Sequence, residues 1–341
     1  MNLHIKNDSG FLALAVRMVI GWTYFSAFFR RTILANKLDP ELPGYIGEKF
    51  NHFLPNALGI KPIIQYLVEN PDILYYNMVA FTIIEGIVGL FIIFGLFTRL
   101  MSIGVFGLAM GILLGSGWIG TTCLDEWQIG ILGIATGFLL FLTGSGRVSL
   151  DNYLMNRNVA FTKKKWFAWL GSGQIPIKDI IFTRFVIVGS FLIFGLTLYT
   201  NQVFHGGLWG TLHNKSVKPK LEITEGKLNE NGLSFDVFRV EGVDVYGAWI
   251  IGIELKDDQN NVVMNYTQDQ LAKLPEDAIE NYYIAKVKPG KHSLIAPLGA
   301  KAKMKFNSSD ILKLPSGTYT LKMTDISGAS WEHQSSNRIS I

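Results

Sequence analysis

Residues 116–127 read SGWIGTTCLDEW and separate two long apolar runs, residues 100–118 before the break and residues 126–143 after it. Each run is close to the length of about 20 residues that crosses the apolar layer of a bilayer as an α-helix. The short polar break leaves room only for a tight turn. The sequence therefore predicts two antiparallel transmembrane helices joined by a loop that carries Cys123, the only cysteine of the chain.

Three further apolar runs approach the same length, at residues 11–32, 75–97 and 181–204. Beyond Lys215 the chain contains no run of this length. Short stretches rich in β-branched and aromatic residues follow instead, separated by turn residues, as is typical of a β-sandwich. The predicted fold class is a membrane α-helical bundle of four helices plus a fifth transmembrane helix, followed by an all-β immunoglobulin-like sandwich domain.

These runs also set the predicted domains: a four-helix transmembrane bundle at residues 1–150, a basic linker at 151–180, the fifth transmembrane helix at 181–204 and the β-sandwich at 205–341. The predicted strands are residues 220–224, 233–240, 246–255, 261–266, 282–287, 300–306 and 318–324. We expect Trp249 and Tyr319 in the core of the sandwich. Glycines recur every three or four positions in the third and fourth helices, which predicts close packing between helices.

The basic residues are distributed unevenly along the chain, which has a net charge of +4. Within the membrane half, the linker at residues 151–180 carries Arg157, Lys163, Lys164, Lys165 and Lys178, and Arg99 lies in the short link after the second helix. By the positive-inside rule, the N-terminus and the linker are cytoplasmic. The loop at residues 33–74, the Cys123 loop and the C-terminal domain then lie on the periplasmic side of the inner (cytoplasmic) membrane. No basic stripe with interleaved aromatic residues is present, so a nucleic-acid partner is not predicted.

A single cysteine excludes an internal disulfide, a Cys-x-x-Cys redox pair and a zinc site built from several thiolates. The sequence contains no metal or flavin motif, and neither cofactor is predicted. Cys123 is left as a candidate nucleophile or as a small residue at the membrane interface. Asp125 and Glu126 either belong to the same site or stabilise the N-terminus of the following helix through its dipole.

The first helix presents one face that runs from one arginine to another. Arg17, Gly21, Tyr24, Phe28 and Arg31 recur at i, i+4, i+7, i+11 and i+14, which is the spacing of one side of an α-helix. A charge as deep as that of Arg17 needs a partner or hydration. The alternative is that this side chain extends to the inner surface while the aromatic residues only pack.

Glu85 lies near the middle of the second helix, on one face with Met78, Thr82 and Gly89. Counting a rise of about 1.5 Å per residue places it at a depth close to that of Arg17 on the first helix. We therefore expect an ion pair between these two side chains. The pair is interpreted either as structural or as a proton acceptor beside a lipid-soluble substrate, and the two interpretations are compatible.

Two further segments carry histidines. Residues 204–214 read FHGGLWGTLHN and contain His205, Trp209 and His213, a composition that indicates a specific structure against the bundle rather than a plain linker. His52 lies in the loop at residues 33–74, and a loop of this length in a compact domain is more often a lid or a binding element than a simple connection.

Three motifs together resemble a known family: GWTYFSAFFRR at residues 21–31, TTCLDEW at 121–127 and FHGGLWGTLHN at 204–214. The first half of the chain resembles the DoxD subunit of thiosulfate:quinone oxidoreductase, within the wider DoxX-like membrane family. The fifth helix and the β domain resemble the companion DoxA subunit. The resemblance implies a DoxD–DoxA fusion that oxidises thiosulfate to tetrathionate and passes two electrons to a membrane quinone of the ubiquinone or menaquinone type.

Under this resemblance, Cys123 binds the first thiosulfate covalently, and Arg30 and Arg31 attract the dianion through their guanidinium groups. His205 and His213 accept protons near neutral pH, with Glu85 as a further acid–base group. The residues assigned to substrate or quinone binding are Arg17, Tyr24, Phe28, His52, Trp118, Asp125, Glu126, Trp127 and Trp209.

Two other functions are left open. The chain is a non-catalytic membrane scaffold or anchor subunit that binds a partner oxidoreductase, or it oxidises another reduced sulfur compound with quinone as acceptor. The expected partners are a small anionic sulfur substrate, membrane lipid and quinone, with a homo-oligomer as a further option.

Overall fold

The computed structural model describes residues 5–120, 125–229, 232–243, 247–307, 314–315 and 317–337. The chain forms two compact units, and neither is one continuous stretch. The helical unit comprises residues 1–46, 72–118 and 122–213, and the β unit comprises residues 47–71, 119–121 and 214–341. Two segments predicted as loops of the bundle thus belong structurally with the C-terminal domain.

The helices of the helical unit follow the predicted apolar runs. They are α1 (Ile5–Leu12), α2 (Leu14–Phe29), α5 (Pro71–Phe94), α6 (Thr98–Ser116), α7 (Asp125–Thr143), α8 (Leu150–Asn156), α9 (Lys165–Leu170) and α10 (Asp179–His205). The β unit adds three short helices, α3 (Glu48–Phe53), α4 (Lys61–Glu69) and α11 (Gln268–Leu271). The loop predicted at residues 33–74 therefore contains α3 and α4.

In the described part of the chain, four helices are long and apolar enough to cross a membrane: α5, α6, α7 over Glu126–Thr143, and α10. The fifth predicted span, residues 11–32, is not one regular helix. The helical geometry is interrupted at Ala13, between α1 and α2, although the backbone nitrogens of Ala13 and Arg17 keep their helical bonds to the oxygens of Ser9 and Ala13, at 3.1 and 2.9 Å. The α-helix ends at Phe29 because residues Arg30–Leu34 form a wider π-helical turn. The regular part of this segment is consequently shorter than a full span.

Small residues allow α2 and α5 to cross closely. A Cβ atom added to Gly89 would lie 2.4 Å from the backbone nitrogen of Phe25, and one added to Gly21 would lie 2.9 Å from the backbone oxygen of Gly89. These distances are shorter than any relaxed carbon contact, so a larger residue would force the two helices apart. The crossing depends on glycine at both positions.

The predicted glycine packing between α6 and α7 is confirmed for glycines of α7. Cβ atoms added to Gly130 and Gly137 would lie 2.8 Å from the Leu113 side chain and 2.9 Å from the Phe106 backbone nitrogen. Gly107 and Gly111 of α6, in contrast, face open space. The prediction was wrong for these two because a spacing of four residues does not say which face of a helix meets its neighbour.

The predicted linker at residues 151–180 is folded onto the helix ends. Asp151, which is fully buried, accepts hydrogen bonds from the backbone nitrogens of Phe97 and Thr98, at 2.8 and 3.1 Å, and from the hydroxyl of Ser172, at 2.8 Å. Arg99 donates to the backbone oxygens of Phe141, Ala168 and Gly173, at 2.9, 2.6 and 2.5 Å. The link between α5 and α6 and the segment after α7 therefore lie at the same end of the helical unit.

In the residues that the structure describes, ten strands form the sheets of the β unit. They are β1 (Lys220–Asn229), β2 (Gly232–Glu241), β3 (Ala248–Lys256), β4 (Val262–Thr267), β5 (Ile279–Asn281), β6 (Lys288–Pro289), β7 (Leu294–Ala296), β8 (Lys301–Phe306), β9 (Gly317–Asp325) and β10 (Ser330–Asn337). The hydrogen-bonded order is β5-β8-β2-β1-β10-β9-β3-β7-β6, and β4 pairs with β3 outside this order. All pairs are antiparallel except β1 with β10, which join at one parallel bridge between Leu228 and Asn337. Two antiparallel sheets result, as the sandwich prediction requires.

The core of the β unit follows the two-residue period of its strands. Phe235 and Val237 of β2, Ile253 of β3 and Leu321 of β9 are all buried in one apolar cluster. Tyr319 is buried as predicted, but Trp249 is 38% exposed. The prediction for Trp249 was wrong because its neighbours on β3, Ala248 and Ile250, are the residues that point into the core. The side chain of Trp249 points to the opposite face of the sheet.

The predicted strand at residues 282–287 is not a strand. Asn281 donates to the backbone oxygen of Val287 at 3.0 Å and accepts from its backbone nitrogen at 2.7 Å, while Asn51 accepts from the backbone nitrogen of Ala285 at 3.0 Å. Side-chain amides thus satisfy the backbone that a neighbouring strand would otherwise pair. The polar strand β10 was not predicted, because it lacks the apolar alternation by which strands are recognised.

Candidate functional site

The most unusual feature of the helical unit is an ion pair between α2 and α5. Met78, Thr82, Glu85 and Gly89 are buried on one face of α5, as predicted. The carboxylate of Glu85, only 3% exposed as a residue, accepts a hydrogen bond from the Nη1 group of Arg31 in the π-helical turn. The same guanidinium lies 5.9 Å from the centre of the Phe81 ring. The side chain of Glu85 is 4% exposed and that of Arg31 is 18% exposed, so an enclosed carboxylate is paired with a partly exposed guanidinium.

The expected pair between Arg17 and Glu85 is wrong. The guanidinium of Arg17, which is 2% exposed, donates instead to the backbone oxygens of Ser145, at 2.5 Å, and Val148, at 2.6 Å. It joins α2 to the segment after α7, so its role in this structure is structural. Two arginines on one helix face have different partners because the segment after α7 folds back to one of them.

Aromatic and hydroxyl groups surround the Arg31–Glu85 pair. The ring of Phe28 lies against α5, and a Cβ atom added to Gly86 would come within 2.8 Å of it. Tyr24 is buried, with its hydroxyl 3.5 Å from the backbone oxygen of Val105. The hydroxyl of Thr82, one turn before Glu85, is buried and has no hydrogen-bond partner in the part of the chain that the structure describes. The surroundings provide flat apolar surfaces and one unsatisfied polar group.

Arg30 differs from its neighbour although both were predicted to bind the same anion. Its side chain is exposed, and its Nε group donates to the backbone oxygen of Ser26 at 3.3 Å. Successive helical residues point in different directions, so Arg30 faces outward while Arg31 reaches Glu85. The structure therefore does not place the two guanidinium groups side by side, as binding of one anion by both would require.

A second group of predicted site residues meets where α10 ends. His205 is 1% exposed, and its Nε2 lies 3.1 Å from the backbone oxygen of Gly117 in the stretch between α6 and α7. Trp127 lies edge-on to the imidazole with ring centres 6.4 Å apart, and its indole nitrogen donates to Thr200 at 3.0 Å. The Nδ1 atom of His205 is buried and has no partner among the described residues. The end of α10 therefore meets the stretch that precedes Cys123, as the topology predicted.

The segment after α10 is a compact turn, in agreement with its unusual composition. The side-chain oxygen of Gln202 accepts hydrogen bonds from the backbone nitrogens of Leu208 and Trp209, both at 3.1 Å. The backbone nitrogen of His213 donates to the backbone oxygen of His205 at 2.8 Å. The indole of Trp209 is 67% exposed, and His213 is also exposed. Only His205 of these predicted site residues is enclosed by the helices.

The remaining predicted site residues have separate positions. Trp118 is buried and Glu126 is half-buried. His52 is half-buried in α3, which belongs to the β unit. Cys123 lies outside the described residues, and so does the side chain of Asp125. In the described part of the chain no three histidine, cysteine, aspartate or glutamate side chains lie close enough together to hold a metal ion.

Sequence reasoning missed the structural importance of Asp151 and Arg99. Arg99 was used only for its charge and Asp151 was not singled out, yet each is almost fully buried and makes at least three hydrogen bonds. Asp151 is an acid at the start of an otherwise basic segment, and this contrast is the only signal in the sequence that points to it.

In its described residues, the helical unit has four candidate membrane spans and the Arg31–Glu85 ion pair, and most of the β unit follows it in the same chain. Together they define a membrane protein with a C-terminal β domain. The family described as TQO small subunit DoxD matches residues 12–182, and the family described as TQO small subunit DoxA matches residues 204–334. The chain therefore belongs to the DoxD and DoxA families, which supply subunits of thiosulfate:quinone oxidoreductase, and it combines both in one polypeptide. Membership of these families supports a membrane-bound oxidoreductase of sulfur compounds.

Proposed function

We propose that the protein oxidises thiosulfate to tetrathionate at the outer face of the cytoplasmic membrane and passes the electrons to membrane quinone. The observation that carries the proposal is the buried Arg31–Glu85 pair, which lies within helices of a chain that matches both TQO subunit families. Burying an ion pair costs free energy because both charges lose their hydration, unless other hydrogen bonds compensate. A pair retained at such a cost is a candidate for a functional role. We assign this pair to the reduction of a lipid-soluble acceptor.

The residues around the pair fit a quinone head group. Arg31 and Thr82 supply hydrogen-bond donors for carbonyl oxygens, and Thr82 has no other partner among the described residues. The rings of Phe28 and Phe81 supply flat apolar surfaces. Quinone, when bound, accepts two electrons and two protons. Glu85 carries a proton toward the quinone oxygen, and Arg31 holds the carboxylate in place while it does so.

The sulfur chemistry is assigned to Cys123. In the first step, the Cys123 thiolate and one thiosulfate form a sulfur–sulfur bond, and two electrons leave for quinone. In the second step, the terminal sulfur of a second thiosulfate attacks the adduct sulfur that is bonded to Cys123 Sγ. This forms the central sulfur–sulfur bond of tetrathionate, breaks the bond to Sγ and restores the thiolate. The sum is two thiosulfates and one quinone plus two protons converted to one tetrathionate and one quinol, so that atoms and charges balance.

His205 is assigned as the base that keeps Cys123 deprotonated. Its Nε2 faces the backbone oxygen of Gly117, a geometry that requires the proton on this nitrogen. The lone pair of Nδ1 is then available to accept the thiol proton. Support for this role comes from the position of His205 beside the stretch that leads to Cys123.

The test is an assay of the purified full-length protein in detergent with a short-chain ubiquinone analogue. We expect thiosulfate to reduce the quinone and tetrathionate to appear in equal molar amount. Cys123→Ser and Glu85→Gln are expected to lower the rate at least about 100-fold, in line with the loss of a nucleophile or an acid–base group. Asp72→Asn, which removes an exposed acid from the same helix as Glu85, is the matched control and is expected to retain the rate.

Full activity of Cys123→Ser would contradict the covalent step. Quinone reduction by sulfite or sulfide but not by thiosulfate would assign another sulfur compound as the substrate. If no sulfur anion reduced the quinone, the scaffold function would be supported and the proposed activity rejected.

A further inference from the structure

The border between the two family matches does not follow the border between the two compact units. The DoxD match covers residues 12–182, but residues 47–71 and 119–121 within it belong to the β unit. The DoxA match begins at residue 204. Two separate segments of the DoxD-like sequence are therefore folded together with the DoxA-like domain.

The centre of this association is Asn51, in α3. Its side chain is fully buried, donates to the backbone oxygen of Gly299 at 3.0 Å and accepts from the backbone nitrogen of Ala285 at 3.0 Å. Gly299 has a φ angle of +75°, and a Cβ atom there would lie 1.7 Å from the backbone oxygen of Asn51. The β domain thus presents one donor, one acceptor and a recess without a side chain at the position that this asparagine occupies.

Asn56 makes a second contact of the same kind at the end of the 3₁₀ turn Leu54–Asn56. Its amide nitrogen donates to the backbone oxygen of Val240, at 2.9 Å, and its amide oxygen accepts from the Nζ group of Lys215, at 3.1 Å. The turn packs on strand β2, and Leu54 is 1% exposed. Polar and apolar contacts therefore act together along this segment.

The third contact is at Gly120, in the stretch between α6 and α7. Its backbone oxygen accepts from the Asn214 amide at 2.7 Å and from the Ser216 hydroxyl at 2.5 Å, and its backbone nitrogen donates to that hydroxyl at 3.0 Å. Ser216 is fully buried. Both backbone groups of one DoxD residue are thus satisfied by side chains at the start of the DoxA-like domain.

We propose that Asn51, Asn56 and Gly120 form a docking surface by which the DoxD-like part of the chain binds the DoxA-like β domain without help from the covalent connection through α10. The occupant is this β domain, residues 214–337. The surface is specific because all three positions meet defined backbone or side-chain groups, and each buried group would lose its partner on separation.

The experiment uses the full-length protein with an affinity tag at its N-terminus and a protease site inserted in the exposed turn at residues 208–212. The protein is purified in detergent, bound to the affinity resin and cut with the protease. The amount of β domain that stays on the resin is then measured over time. We expect the cut β domain to remain bound for hours.

The double variant Asn51→Ala, Asn56→Ala is expected to release the cut domain at least about tenfold faster, because buried donors and acceptors are left without partners. Asn70→Ala is the matched control, since among the described residues that side chain bonds to the backbone oxygen of Tyr66, in the adjoining helix α4, at 2.7 Å. Thermal unfolding of the uncut proteins verifies that each variant is folded before the cut. If the double variant is not folded, Lys215→Ala replaces it, and a release faster than wild type is expected.

Two results would overturn the proposal. One is release of the wild-type β domain within minutes of the cut. The other is equal retention of the folded double variant, or of Lys215→Ala in its place, and the wild type. Neither result depends on catalytic activity, so the docking surface and the proposed function are tested separately.

Discussion

Buried charges in the helical unit divide into two kinds according to their partners. Arg17 and Arg99 donate to backbone oxygens and join segments that are distant in sequence. Arg31 instead pairs with the carboxylate of Glu85. A backbone oxygen cannot change its charge, whereas a carboxylate can. Of these three arginines, only Arg31 therefore belongs to a group that is able to carry a proton.

Removing one member of the Arg31–Glu85 pair leaves the other charge buried. We expect Arg31→Gln to lower the free energy of unfolding by about 3–5 kcal/mol, the usual result of breaking a buried pair. The double variant Arg31→Gln, Glu85→Gln is expected to be more stable than the sum of the single effects, since no lone charge remains. Thermal unfolding in detergent measures both. Additive effects would show that the two side chains do not interact.

Asp151 holds the segment after α7 to the start of α6. Asp151→Asn keeps the size of the side chain but places an amide donor among donors, so we expect it to destabilise the protein by about 2 kcal/mol. Asp72→Asn, at an exposed site of α5, is expected to change stability by less than about 0.5 kcal/mol. The measurement is the thermal unfolding midpoint of each variant, and we expect the midpoint of Asp151→Asn to be the lower of the two. Equal midpoints would contradict the structural role of Asp151.

The partner of Arg17 illustrates what the sequence can predict for a single residue. Helical spacing placed Arg17, Tyr24 and Arg31 on one face, and the structure agrees. Depth counting then selected the wrong arginine for Glu85. The true partners of Arg17 are backbone oxygens of a folded segment, and no residue type in a sequence marks such an acceptor.

At the scale of helices, close approach is decided by glycines that face a neighbour. The crossing of α2 and α5 depends on Gly21 and Gly89, whereas Gly111 of α6 faces open space. The same residue type thus has opposite effects at positions that look alike in the sequence.

This contrast leads to a prediction for two alanine substitutions. Gly89→Ala would place its Cβ 2.4 Å from the Phe25 backbone nitrogen, and we expect a loss of about 1–3 kcal/mol in the free energy of unfolding. Gly111→Ala meets nothing within 4 Å, and we expect it to stabilise its helix by about 0.5–1 kcal/mol. Thermal unfolding of both variants is the measurement. A stabilised Gly89→Ala would rule out the close crossing.

Secondary structure was predictable where apolar spacing alone decides it. Four of the five predicted spans correspond to regular helices, and most predicted strands are present. The exceptions depend on other parts of the chain: Asn51 and Asn281 bond the backbone at residues 282–287 in place of a strand. Strand β10 pairs along β9 despite its polar residues. Local patterns cannot reveal contacts supplied from elsewhere.

At the scale of the whole molecule, the predicted membrane topology can be tested by labelling single cysteines. Cys123 is the only cysteine of the sequence, so its replacement leaves each introduced cysteine as the single reactive thiol. In a Cys123→Ser background we introduce Leu212→Cys after α10, where the side chain is 79% exposed, or Lys163→Cys in the basic segment. We expect a membrane-impermeant maleimide to label the first variant in intact cells whose outer membrane is permeabilised. The second is expected to react only after the inner membrane is opened. The reverse pattern would place the β domain in the cytoplasm.

The organisation of the two units could not be predicted from the sequence. Composition divided the chain cleanly near residue 205, between apolar runs and β-rich stretches. The structure instead assigns residues 47–71 and 119–121 to the β unit. Asn51, Asn56 and Gly120 are ordinary loop residues in the sequence, and their importance follows only from backbone groups that lie far along the chain.

This arrangement has a consequence for biosynthesis. The bond between Asn51 and Gly299 joins residues 248 positions apart, and ribosomes add about 5–20 residues per second, so about 12–50 s pass between the synthesis of the two partners. During that time the α3 segment is complete while the domain that buries it does not yet exist. A chaperone that binds this segment, or a pause in translation after α10, would therefore change the yield of folded protein. Either would have less effect on the rate of membrane insertion.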